Sequence, residues 1–483
     1  MKATPEATRA YTSRHPLPTP SVILGKTGLS ASPWGFGSYR VGPKFQNHRD
    51  ALKLALRSGC NLIDTSSNYT DGGSETLIGE VLQELIESKE LKREEVIVVT
   101  KTGYIQGKNL AIAREREALG NPFREVVKTS DHLWHCISPE FLEDQITRSL
   151  ERLKLQTIDF LLLHNPEYFL KDDPRHDEYY RRIRSAFEYL SKEVDRGRIA
   201  FFGISSNTFP DPRESPEYTS LETVLEIANE LPDPSRFAAI QFPFNIFEPA
   251  AVLETNNTGK TVAELAASRK LATLINRPLN AFASQRLVRL ADAPVSSTAN
   301  GDPREAFESA LAHAANLESS QSAAIHKATN GEFRWAHVIY KNLDQILDLP
   351  TWSDLFHGQI RPRLFPALKS AQSLEPEWTL QYQSAMSELF EATQQLLARQ
   401  DRVFQLELKN VLTRSAPILA DSPTLSRRVL RIYKSFPGID CILVGMRTPE
   451  YVRDILGSEQ PFSAEKALDA LESVQDFLAP SLR

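Results

Sequence analysis

The chain has 483 residues, with 56 Lys and Arg against 62 Asp and Glu, for a formal net charge of −6. That balance lacks the basic surface that displaces counterions from nucleic acid, so no nucleic-acid partner is expected. No apolar run approaches the roughly 20 residues that span a bilayer, and Cys60, Cys136 and Cys441 are too scattered for a disulfide framework. The expectation is a cytoplasmic chain with no membrane partner.

Residues 1–20 carry Lys2, Arg9 and Arg14 but no apolar stretch of the kind a secretory signal needs. Their Ser, Thr and Arg content leaves an organelle transit peptide open, and a flexible tail is the plain expectation. From Ser32 onward, short apolar runs bounded by Gly, Pro, Asn or Asp read as buried strands. They are Trp34–Tyr39, Asn61–Asp64, Val96–Lys101, Asp159–His164, Ile199–Ser205, Ala238–Phe242, Leu271–Asn276 and Cys441–Val444. Helical patterns lie between them. One covers Arg49–Ser58, with Leu52, Ala55 and Leu56 on one face and Gly59 at its stop. Another covers Glu75–Ile86, with Leu77, Ile78, Val81, Leu82 and Leu85. A third covers Pro139–Leu153, with Phe141, Leu142, Ile146, Leu150 and Leu153, and Ser138 as its expected N-cap.

Residues 102–137 read as a long polar loop. Residues 282 to about 420 read as an insertion between the seventh and eighth strands, and its most linker-like stretch is Asp292–Gly301. Within it, a long helix is predicted over Glu377–Asn410. Met386, Leu389, Phe390, Thr393, Leu396 and Leu397 fall on one stripe, while Glu388, Glu391, Gln394 and Arg399 fall elsewhere. The barrel, the first half of the insertion or a second subunit must cover that stripe. The insertion would serve either as a lid over the site or as a flank. The resulting partition is a tail over 1–20, a barrel over 21–280, a helical insertion over 281–421, and barrel completion over 422–483.

Strands alternating with helices imply parallel pairing through right-handed crossovers, and eight strands close a (β/α)8 TIM barrel. An open doubly wound sheet needs a Gly-rich turn that opens directly into a helix. Gly35-Phe36-Gly37 is followed by Val41, Gly42 and Pro43, which excludes it.

In such barrels the chemistry sits at the carboxyl ends of the strands. Asp64 ends the second run, Lys101 the third and His164 the fourth, and Tyr69 follows Asp64 by five positions. These residue types fit one mechanism. A carbonyl that accepts hydride at carbon needs a proton at oxygen. Tyr69 can donate it, Lys101 can lower the phenol's pKa, Asp64 can pair with Lys101, and His164 can orient the substrate oxygen.

At these residues the sequence resembles the aldo-keto reductase family. The motifs are Asp64-Thr65-Ser66-Ser67-Asn68-Tyr69 with Gly72-Gly73-Ser74-Glu75, Val99-Thr100-Lys101, Leu162-Leu163-His164, Gly203-Ile204-Ser205-Ser206-Asn207, and Gln241 with Phe242-Pro243-Phe244-Asn245. Leu24-Gly25-Lys26-Thr27-Gly28-Leu29-Ser30 is similar to the family's opening hairpin. The resemblance covers about residues 21–280 and 422–460. It implies an oxidoreductase that reduces an aldehyde or ketone with NADPH, NADH not being excluded, through Asp64, Tyr69, Lys101 and His164. It further implies that Ser206, Asn207 and Gln241 hold the nicotinamide carboxamide and that Gly37, Ser38, Tyr39 and Asp64 line the nicotinamide end.

Two motifs depart from the family pattern. At the end of the seventh strand, Asn276-Arg277-Pro278-Leu279 places Asn276 where the family has an aromatic that stacks on the nicotinamide. After the eighth strand, Gly445, Met446, Arg447, Thr448 and Tyr451 are the nearest equivalents of the adenosine-phosphate residues. Arg447 or Arg453 could bind a 2′-phosphate. His132-Leu133-Trp134-His135-Cys136 has metal-like spacing but no second pair nearby, so no metal is expected. Arg114-Glu115-Arg116-Glu117 reads as a solvated helical face. A non-catalytic cofactor-binding barrel with a regulatory or sensing role is the alternative function. A Schiff-base lyase using Lys101 is argued against by Asp64.

Overall fold

The computed structural model describes residues 1–283, 286–292, 302–346 and 349–479. Eight parallel strands close into a barrel in chain order. They are β1 (Trp34–Gly37), β2 (Leu62–Asp64), β3 (Ile97–Thr102), β4 (Ile158–His164), β5 (Ile199–Ser205), β6 (Phe237–Pro243), β7 (Ala272–Asn276) and β8 (Cys441–Val444). Each falls on one of the eight predicted apolar runs. Their near-continuous apolar composition follows from burial on both faces, and all seven residues of β4 are buried. Register aligns the polar strand ends, because Ser205 pairs with His164 on one side and Gln241 on the other.

The helices form where their apolar stripes predict them. Gln46–Arg57 buries Leu52, Ala55 and Leu56, and Gly73–Glu87 buries Leu77, Ile78, Val81, Leu82 and Leu85. Pro139–Leu153 opens with Pro139 at its first position and stops at Lys154, whose φ of 55° is left-handed. Ser138 occupies the N-cap position but makes no side-chain cap bond. Its hydroxyl instead lies 3.2 Å from the buried thiol of Cys136.

Two regions differ from the sequence expectation. The expected flexible tail is a helix, Pro5–Arg14, capped by Thr4, whose hydroxyl accepts the Ala7 N–H at 3.2 Å. Tyr11 is fully buried and its hydroxyl donates to the Leu56 carbonyl, while the Ala3 N–H donates to Asp159 at 2.7 Å. A few tertiary anchors with only one large apolar side chain among them, too little for a periodic pattern, order the segment. The expected polar loop over 102–137 holds a helix, Gly107–Ala118, and a three-stranded antiparallel sheet of Tyr104–Ile105, Val127–Ser130 and Leu133–His135. Ile105, Leu110, Phe123, Trp134, Cys136 and Phe141 share a small buried core there. These apolar residues are too widely spaced in sequence to signal it. The charged face around Arg114 and Glu115 is exposed on that helix.

The chain divides into two compact units, Met1–Leu279 with Ile418–Glu472, and Asn280–Pro417 with Ser473–Arg483. The first contains the barrel. In the second, the helix predicted over Glu377–Asn410 runs over Pro376–Ser415, 40 residues. Its stripe is covered by the first half of the insertion. Met386, Leu389 and Leu397 share one core with Phe307, Ala310, Ala314, Trp335 and Ile339, and Phe390 and Leu396 pack against it. Glu318 pins this arrangement from within. Its carboxylate accepts the Ala336 N–H at 2.7 Å and the Tyr382 hydroxyl at 2.8 Å. Residues 293–301 of the linker-like stretch lie outside the described residues.

Candidate active site

Asp64 and His164 end their strands, Lys101 is the second-to-last residue of β3, and so all three arrive at the carboxyl rim, while Tyr69 arrives through the β2 loop. The structure brings all four together. Lys101 is fully buried, and Asp64 is nearly so. The ammonium Nζ donates to Asp64 Oδ1 at 2.6 Å, to Asp64 Oδ2 at 2.7 Å and to the Thr65 carbonyl at 2.8 Å. An ammonium has three donors, and these partners take all three. Nζ lies 5.1 Å from the centre of the Tyr69 ring, and all of its hydrogen bonds go to Asp64 and Thr65 rather than to the phenol.

Tyr69 is half-buried between Tyr39 and His164, with ring centres 5.3 and 6.1 Å away. Desolvation, the Asp64 carboxylate and Tyr39 push its phenol well above 10. The expectation that Lys101 sets a lowered pKa is therefore not met in this state: burial and the Asp64 charge dominate. The group is a protonated phenol through the neutral range. The chain after it is unusual, since Thr70, Asp71 and Gly72 have φ of 47°, 58° and 84°. Arg40, Asn165 and Arg277 at the ends of β1, β4 and β7 are also left-handed.

His164 is buried against Tyr104, with ring centres 4.6 Å apart. Burial, Lys101 and His135 hold its imidazole well below the ordinary value, so the ring is neutral at pH 7. Its Nδ1 lies 3.0 Å from the Ser66 hydroxyl. His135 Nε2 donates to the His164 carbonyl at 2.7 Å, and burial lowers the His135 pKa to about 4. Gly103 makes that contact possible, because a Cβ there would lie 2.5 Å from the His164 oxygen and 2.6 Å from His135 Nε2. His135, which has metal-like sequence spacing, is thus a prop for His164. Among the described residues no group of three His, Cys, Asp or Glu could hold a metal ion.

The residues expected around the cofactor fall on both sides of this centre. Gln241 Nε2 donates to Asp64 Oδ1 at 2.9 Å, which ties β6 to the ion pair. Ser206 is buried, and its hydroxyl joins Thr208 and Thr219. Asn207 is half-buried, and its N–H donates to Glu167 at 2.8 Å. Gly37 ends β1, and Ser38 donates to the Asp64 carbonyl from both N–H and hydroxyl, so Ser38 braces β2. Tyr39 is 60% exposed. Asn276 ends β7 with a buried Oδ1 that has no hydrogen-bond partner. Arg277 is not an isolated cation, for it lies 3.3 Å from Glu248. The Pro278 carbonyl accepts from Tyr433 at 3.1 Å, and Leu279 is half-buried. Beyond β8, Gly445 is exposed with open space where a Cβ would stand. Met446 is fully buried, which leaves only its backbone for a ligand. Arg447 is half-buried near His48, whose imidazole is lowered chiefly by burial and further by that guanidinium. Thr448 caps the helix Pro449–Leu456, which carries the exposed Tyr451 and Arg453. Arg453 stands 3.9 Å from Glu450. Sequence reasoning gave no role to Ser66, Tyr104, His135 or Glu167. Only Glu167 carries a legible signal: a carboxylate placed three residues after His164, where the chain has just left a fully buried strand.

Comparison with known proteins agrees with this geometry. Residues 33–265 match the model of the Aldo/keto reductase family. The chain is 27% identical over 211 residues to the NADH-specific methylglyoxal reductase of Escherichia coli, a match covering 42% of this chain and 57% of that protein. It is 31% identical over 187 residues to the D-threo-aldose 1-dehydrogenase of a Pseudomonas species, covering 37% and 51%. The chain thus spans about half the length of these curated relatives. Among solved structures, the glycerol dehydrogenase of Gluconobacter oxydans matches over 94% of this chain and 95% of its own, with a TM-score of 0.50 at 16% identity, which is a likeness of fold. The eight-stranded barrel and the rim residues agree with the matched segment, so residues 33–265 are those of an aldo-keto reductase barrel in sequence pattern and fold.

Proposed function

We propose that the chain reduces an aldehyde or ketone to an alcohol with a nicotinamide dinucleotide, NADPH being the expected donor and Tyr69 the general acid. One observation carries this reading: the buried Lys101–Asp64 pair at 2.6 Å has its ammonium 5.1 Å from the centre of the Tyr69 ring, with the His164 ring 6.1 Å from that of Tyr69. When bound, the cofactor supplies the hydride. The site has features that suit it, namely the unpaired buried Asn276 Oδ1, the amide of Gln241, and the open space at Gly445. Asn276, Ser206, Asn207 and Gln241 would hold the carboxamide, and Arg447 or Arg453 would meet a 2′-phosphate.

The chain's own part is proton transfer. Ser66 Oγ lies 3.0 Å from His164 Nδ1 and holds the imidazole in place, so that His164 can orient the substrate oxygen. That oxygen gains charge as hydride arrives at carbon, and Tyr69 then delivers its proton. The resulting phenolate faces the Lys101 ammonium, which favours the transfer although it forms no bond to the phenol beforehand.

A panel of aldehydes and ketones assayed by NADPH and NADH oxidation tests this reading. Tyr69→Phe keeps the ring and removes the proton. Turnover is expected to fall ~10²-fold or more with cofactor affinity unchanged. Wild-type turnover in that variant would remove Tyr69 from the mechanism.

A further inference from the structure

Glu167 follows His164 by three residues and is 2% exposed. Its Oε1 accepts the backbone N–H of Asn207 at 2.8 Å, whereas its Oε2 is buried with no hydrogen-bond partner. A buried carboxylate with one oxygen unsatisfied is costly, and nothing in the packing of the barrel requires it. What it does secure is the peptide that carries Asn207 and Ser206 at the end of β5.

We propose that Glu167 is a positioning residue for the cofactor, fixing the Ser206–Asn207 backbone and thereby setting affinity at the nicotinamide end. The inference rests on the reading of this rim as a nicotinamide-dinucleotide site. Its sensitivity to pH follows from the surroundings. Burial pushes the Glu167 carboxyl up to about 7, while the Asn207 N–H, the Ser206 hydroxyl and the Lys171 ammonium pull it down. Tyr104, from the β3 loop, and Tyr179, from the helix His176–Asp195, also face it, and both phenols are held neutral by burial. Tyr168 adjoins it in the chain. Lys171 is therefore the charged neighbour, and the carboxyl itself changes charge near neutrality. As an anion it grips the Asn207 N–H by a charge-assisted bond, and as an acid it grips it less well.

The test uses NADH, which has no group titrating between about pH 6 and 8, and reads its dissociation constant by fluorescence. Wild-type affinity is expected to rise about fivefold from pH 6 to pH 8, the difference between a neutral and a charge-assisted bond. Glu167→Gln keeps an oxygen acceptor for Asn207 and cannot ionise, so its affinity should be flat across that range. Glu167→Ala should bind about tenfold more weakly than wild type at pH 8. Circular dichroism keeps a loss of fold separate from a loss of affinity. An unaltered pH profile in folded Glu167→Gln would overturn the proposal while leaving the cofactor site intact. A wild type that binds neither NADH nor NADPH would remove the functional reading and this inference with it.

Discussion

At the barrel rim, Asp64, Lys101, His164 and Glu167 are buried together, whereas the helical unit buries Phe307, Trp335, Tyr382 and Leu389 with Glu318 as the charged member among its described residues. Even Glu318 differs in kind, because both of its oxygens are spent on caps and a tyrosine. The helical unit gains stability from nearly everything it buries. The barrel gives stability up at its rim, where ions leave water for one another and several non-glycine residues adopt left-handed conformations. A fold tolerates such a site when chemistry requires it.

Four experiments would break or sharpen that contrast. Lys101→Met has the largest expected effect. It leaves the Asp64 carboxylate buried without its ammonium, costing the barrel about 3–5 kcal/mol in denaturant unfolding and abolishing turnover. A cost near zero would mean the pair is wet and the rim is not under strain.

Leu389→Ala tests the other unit. Leu389 is fully buried, so the loss of its side chain should cost about 2–5 kcal/mol. Calorimetry should show the transition of the helical unit moving while the barrel transition stays. A joint shift of both would show that the two units unfold as one.

Acid should act on the barrel. The folded state holds His135 neutral down to about pH 4, whereas an unfolded histidine takes a proton below about 6.5. The unfolded state then binds more protons, so stability falls as pH drops through that window. The loss is about 3 kcal/mol for this group once the pH is below 4. His135→Gln should remove that part of the acid dependence, and an unchanged profile would show that His135 is solvated.

The smallest effect concerns the 2′-phosphate. Either Arg447→Ala or Arg453→Ala should weaken NADPH about tenfold and spare NADH, as expected for one charge-assisted contact. Equal affinity of the wild type for both cofactors would remove the phosphate role from both arginines.

The strands and the four central residues are legible in the sequence because buried parallel strands are apolar runs, and a polar residue ending such a run has only the rim to occupy. The long helix is legible through its 3.6-residue stripe. The helix at Pro5–Arg14 is not, since Tyr11 is its single large buried side chain and one residue makes no period. The small sheet over Tyr104–His135 is hidden for a related reason, because its core residues come from separated pieces of chain.

The sequence by itself therefore determined the barrel, the helical insertion and which polar residues stand at the rim, all of which follow from local pattern. Only the tertiary structure decided how those groups are poised. That all three Lys101 donors are taken, that Tyr69 stands beside Tyr39 and His164, and that His135 and Glu167 brace the rim all depend on residues tens of positions apart. Desolvation and the field of a neighbouring charge act through space, and they are set by which strands stand side by side rather than by the order of residues along any one of them.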